Sequence, residues 1–110
     1  MDLQELEQEF QTAAAVVQLA RVDLFRVAEV VVAENRVLEA EKISALQAGR
    51  VDGKNETERK AQMAEILQHE IENVASAEKA ERKARHAFEV AVFEYDLLRY
   101  RLRIAEIAAK

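Results

Sequence analysis

Counting from Leu3, apolar residues recur at alternating intervals of three and four: Leu3, Leu6, Phe10, Ala13, Val17, Ala20, Leu24, Val27 and Val31. An α-helix completes a turn in about 3.6 residues, so this alternation gathers them along a single stripe. The stripe thins beyond Val31 but continues through Leu38 and Ala45, with Glu34 and Glu41 standing where apolar residues are expected. Asp2 is placed to cap this helix, since its carboxylate can accept from the free N–H groups of the first turn while Glu5 reaches back. The same alternation returns at Ala84, Phe88, Ala91, Tyr95, Leu98, Leu102 and Ala105, which predicts a second helix with an inward stripe of its own.

Between them lies one convincing interruption, Gly49-Arg50-Val51-Asp52-Gly53-Lys54-Asn55. Either glycine can take the left-handed conformation that closes a helix, and Asn55 with Glu58 reads as the N-cap and capping partner of the next. Helices joined by so short a connection lie antiparallel. The sequence therefore predicts an all-α fold: one coiled-coil-like antiparallel helical hairpin over residues 1–110, with helices at 2–49 and 55–109 and a turn at 50–54. With the turn near residue 52, residue i of the first helix faces roughly residue 104 − i of the second.

Both helices are apolar over a wider arc than their mutual contact can cover. Between Ala13 and Ala33, sixteen of twenty-one residues are apolar, and Val16, Leu19, Val22, Phe25 and Val30 lie off the main stripe. In the second helix Val90, Phe93, Leu97, Tyr100, Ile104 and Ile107 form a further stripe at helical spacing. A membrane span does not account for the excess, because Arg21, Asp23, Arg26 and Glu29 interrupt the apolar run and each would cost about 2.5 to 3.5 kcal/mol near a bilayer centre. These eleven residues are instead the expected interface of a homodimer, two hairpins pairing through their terminal halves into a four-helix bundle. Residues 34–78, with ten acidic and six basic side chains, would project as charged arms.

Composition sharpens this picture without redirecting it. There is no proline, and Gly49 and Gly53 are the only glycines, so little interrupts helix, while 5% aromatic content calls for an aliphatic, alanine-rich core. A net charge of -5 gives no general attraction to nucleic acid or anionic membranes. No cysteine is present to form disulfides, a thiolate nucleophile or a cysteine-ligated zinc site, and the opening Met-Asp-Leu-Gln-Glu lacks the basic and apolar regions of a signal peptide; a cytoplasmic protein is expected.

The candidate chemistry is sparse. His69 shares a helical face with Glu65 and Glu72, but neither histidine sits in a Glu-x-x-His motif, and no metal or other cofactor is expected. Ser44 and Ser76 have no histidine and acid placed to activate them, and no glycine-rich phosphate loop is present, so the chain reads as no enzyme. Lys79, Arg82, Lys83 and His86 form a basic stripe that could grip phosphates. Against that, Glu78 with Arg82 and Glu81 with Arg85 are spaced to pair as an ordinary solvated face, and no aromatic residues interleave with the charges. Arg50, Asp52, Lys54 and Arg59 form the exposed tip, a place for a protein partner if it is more than a well-capped connector. Tyr95 and Tyr100 are expected as core rings with hydroxyls at the rim.

At Gly53-Lys54-Asn55-Glu56-Thr57-Glu58-Arg59-Lys60-Ala61-Gln62 the chain resembles small uncharacterised helical proteins of bacterial phages and prophages, which carry a Gly-x-Asn-Glu-x-Glu-Arg stretch ahead of a long helix. The resemblance covers about ten residues. It implies a phage-related origin and a small accessory protein that binds a host or phage protein. The leading expectation is thus a protein–protein interaction module or inhibitor acting by stoichiometric binding in the host cytoplasm. A nucleic-acid-associated protein using residues 79–86 and a structural assembly subunit are the alternatives.

Overall fold

The computed structural model describes residues 2–110. Among them are three α-helices and no strand: α1 Leu3–Gln47, α2 Glu56–Ile66 and α3 Gln68–Ala108. The chain forms two compact units, one of Met1–Arg26 with Arg82–Lys110 and the other of Val27–Glu81.

In the first unit the early turns of α1 lie against the late turns of α3. The Phe10 and Tyr95 rings stack at 4.8 Å between centroids, one residue from the pairing that the turn position implies. Leu6, Ala84 and Ala91 are buried here, and Leu3, Phe10, Ala13, Val17, Ala20, Leu24, Phe88, Tyr95, Leu98, Leu102 and Ala105 are half-buried. The alternating stripes read from sequence are thus the inward faces of both helices. The most covered α3 positions of this unit, Ala84 and Ala91, carry small side chains, which leave room for close helix packing.

The second unit buries Val27, Ala45, Leu67, Val74 and Ala77. The α3 stripe extends upstream beyond its visible start at Ala84: Leu67, Glu70, Val74, Ala77 and Glu81 keep the same alternation and are buried or half-buried. On α1, Glu34 holds its stripe position half-buried, whereas Glu41 is exposed and the half-buried neighbour is Lys42, whose aliphatic stem can lie along the seam.

The helix ends follow from specific hydrogen bonds. Asp2 caps α1 by accepting from the Glu5 N–H at 2.8 Å. The other end of α1 stops at Gln47, short of the expected residue 49, because a Schellman motif closes it. Gly49 sits at φ 70, its N–H donates to the Leu46 carbonyl at 3.2 Å, and the Arg50 N–H reaches the Ala45 carbonyl at 3.1 Å. Gly53 has a different role: a Cβ there would stand 2.7 Å from Glu58 Cβ and 2.9 Å from the Arg59 backbone nitrogen.

Asn55 caps α2 from an extended backbone, its side chain accepting from the Glu58 N–H at 2.8 Å. Glu58 reaches back one residue further than a reciprocal capping box does, to the Lys54 N–H at 2.8 Å. The expected unbroken helix over 55–109 is interrupted at Leu67, with φ -102 and ψ 15. Neither proline nor glycine causes this. The Leu67 N–H still donates to Met63 and its carbonyl still accepts from Ile71, both at 2.9 Å, so the interruption is a local bend at the largest fully buried side chain among the described residues.

Candidate functional site

All eleven residues expected at a dimer interface, Val16, Leu19, Val22, Phe25, Val30, Val90, Phe93, Leu97, Tyr100, Ile104 and Ile107, are exposed in the single chain. Leu19, Phe93 and Ile104 reach 70%, 69% and 67% exposure. All but Val30 belong to the unit that carries the early α1 and late α3 turns. On α3 they form a second seam of the same three-four alternation as the inward one. At about 3.5 residues per turn it is centred about 150° around the helix from the first. This helix therefore presents one apolar line to α1 and another almost directly away from it. On α1 the exposed residues are more scattered, and Arg21, Asp23 and Arg26 stand among them. Tyr95 lies in the intrachain core as expected. Tyr100 does not: it is exposed, with the Arg99 guanidinium 5.8 Å from its ring centre.

The tip is irregular but firmly tied. Gln62 accepts from the Asp52 and Gly53 N–H groups at 3.1 and 2.8 Å and donates to the Asp52 carboxylate at 2.7 Å. Arg59 donates to the Gly53 carbonyl at 3.1 Å. Of the four expected tip residues, Asp52 and Arg59 therefore hold the turn itself, while the Arg50 and Lys54 side chains make no hydrogen bond or ion pair among the described residues. Gln62 was not singled out in the sequence. A glutamine nearly two turns into a helix is unremarkable until the preceding loop is seen folding onto it.

Lys79, Arg82, Lys83 and His86 are exposed along α3. The expected Glu78–Arg82 ion pair does not form, whereas Glu81 and Arg85 are both engaged. The ion pairs Asp23–Arg26, Glu39–Lys42, Glu56–Lys60 and Asp96–Arg99 each join residues three or four apart on one helix, exposed pairs that contribute tenths of a kcal/mol.

An open groove of about 540 Å³ runs between α1 and α3 in the first unit, where Thr12, Ala13 and Ala91 leave room, and Glu5, Glu9 and Glu94 line it. Among the described residues no group of histidine, cysteine, aspartate or glutamate side chains is arranged to hold a metal ion. No described helix is long and apolar enough to cross a membrane. Compared with family models, curated proteins and solved structures, the chain matches none.

Proposed function

We propose that this chain is a non-enzymatic protein–protein interaction module that self-associates as a homodimer and works by stoichiometric binding. The supporting observation is the ten large apolar side chains left exposed on the unit of Met1–Arg26 and Arg82–Lys110. Covering a leucine, isoleucine or phenylalanine side chain contributes about 1.5 to 3 kcal/mol, and so many exposed apolar side chains on one unit, six of them in a single α3 seam, favour a contact with another chain. In the proposed dimer α1 and α3 of each copy make a four-helix assembly. The unit of Val27–Glu81, with Arg50 and Lys54 at its tip, is left to meet a protein target. The resemblance of residues 53–62 favours a phage-related accessory protein or inhibitor working in the host cytoplasm.

Sedimentation equilibrium at micromolar concentration tests this. A particle of twice the 12.5 kDa chain mass supports the homodimer. A folded species at the chain mass itself overturns it. Large, polydisperse material would favour the assembly-subunit alternative, in which a bigger complex covers the same apolar surface.

A further inference from the structure

We infer that the outer seam of α3 is a self-pairing surface that takes α3 of a second copy antiparallel, in a single register centred between Leu98 and Arg99. This rests on the homodimer reading and adds to it which face pairs, in which direction and at which offset.

The seam is Val90, Phe93, Leu97, Tyr100, Ile104 and Ile107, all exposed on one unbroken stretch of α3. Its spacings read the same from either end. An antiparallel copy therefore sets Val90 against Ile107, Phe93 against Ile104 and Leu97 against Tyr100, each pair centred on the same point. This is the alternating layer pattern by which antiparallel helices interlock.

The flanking charges choose the direction. On one side of the seam stand Glu94 and Arg101, and on the other Glu89, Asp96 and Arg103. In the antiparallel register Glu94 meets Arg101 of the second copy and Asp96 meets Arg103, and symmetry repeats both pairs. Parallel pairing instead sets Glu89 against Glu94 of the second copy, so that the like-charged contacts offset the Asp96–Arg101 ones. The charges also fix the register. Sliding the antiparallel copy by seven residues one way opposes Glu94 to Glu94 and Asp96 to Asp96, leaving only the Glu89–Arg103 contacts of opposite charge. Sliding it the other way opposes Arg101 to Arg101 and Arg103 to Arg103.

Within the chain, Glu94, Arg101 and Arg103 make no ion pair among the described residues, and Asp96 reaches Arg99 only at 3.8 Å. Glu94 also lines the groove that holds Glu5 and Glu9, so Arg101 of the second copy approaches a cluster of carboxylates. Because the outer seam lies almost opposite the inner one, the four helices stand in a row with the two α3 helices at its centre. A square bundle would need seams about 90° apart. The exposed α1 residues Leu19 and Val22 lie outside this contact.

The chain has no cysteine, so engineered ones report pairing directly. Val90→Cys and Ile107→Cys chains, mixed and mildly oxidised, should give the mixed disulfide, and neither should cross-link alone, since like positions lie about 25 Å apart in the antiparallel register. Cross-linking of either variant alone overturns the antiparallel direction while leaving a dimer in place. Arg101→Glu with Arg103→Glu should raise the dimer dissociation constant about 30-fold or more at low salt. Adding Glu94→Arg and Asp96→Arg to the same chain should restore it. Failure of that swap to rescue a chain whose circular dichroism shows intact helix overturns the register. Leu19→Gln with Val22→Gln should leave the dimer intact, and its loss would return the contact to a square bundle built on α1. A native chain that sediments as a monomer refutes both this pairing and the homodimer beneath it.

Discussion

Replacing Gly53 with alanine tests the account of the tip most directly. Of the two glycines only Gly49 adopts a positive φ, so a reading based on backbone freedom would rank it as the more sensitive. The spatial facts reverse that order. At Gly49 no atom lies within 4 Å of an added Cβ, and the cost is left-handed strain, roughly 1 kcal/mol. At Gly53 the added carbon would press on Glu58 Cβ at 2.7 Å and on the Arg59 backbone nitrogen at 2.9 Å, neither of which moves without lifting the start of α2. Overpacking of this kind costs about 1 to 3 kcal/mol. If the turn lifts, the bonds from the Gly53 N–H to Gln62 and from Arg59 to the Gly53 carbonyl are lost as well, at about 1 kcal/mol each. Alanine recovers roughly 0.4 to 1 kcal/mol through the unfolded chain, leaving a net loss of about 2 to 4.5 kcal/mol. Thermal unfolding followed by circular dichroism, at one fixed protein concentration, should show Gly53→Ala melting on the order of 10 °C below the native chain. It should also melt well below Gly49→Ala. Equal melting temperatures for the two variants would refute the assignment of Gly53 to steric contact.

Three other outcomes follow from the same structure. Leu67→Ala empties the site of the largest fully buried side chain and should destabilise by about 2 to 5 kcal/mol in urea denaturation; a loss under 1 kcal/mol would mean that the bend does not anchor the second unit. Asn55→Ala removes the bond to the Glu58 N–H and should cost about 1 kcal/mol, whereas Asn55→Asp should retain most of it. On immobilised DNA or RNA the native chain should elute without salt-dependent retention, and retention abolished by Lys79→Glu with Lys83→Glu would establish the nucleic-acid alternative.

How much of this was legible beforehand varies by element. The inward stripes of both helices could be read because two-helix packing imposes a three-four alternation that few other structures share. The outer seam on α3 was equally plain for the same reason. The upstream α3 stripe was hidden because Glu70 and Glu81 occupy seam positions; at the edge of a thin two-helix core a long side chain can be half covered and still reach water. The bend at Leu67 left no mark in composition. No proline or glycine stands near it, and leucine is itself an ordinary helix former. At the tip, the Asn55 cap was legible from local spacing, but Gln62 became meaningful only when residues 52 and 53 folded back onto it.

The tip also bears on the order in which the chain folds. Its hydrogen bonds join residues no more than ten apart, from Asp52 to Gln62, so closing it sacrifices little chain entropy. Phe10 and Tyr95 can stack only after nearly the whole chain has doubled back. Folding should therefore nucleate at the turn and zip toward the termini. Substitutions at Gln62 would slow refolding, while those at Phe10 would chiefly hasten unfolding. In a chain being synthesised, the α3 seam emerges after α1 and the tip, so its apolar line opens to misassembly only once the turn can already close.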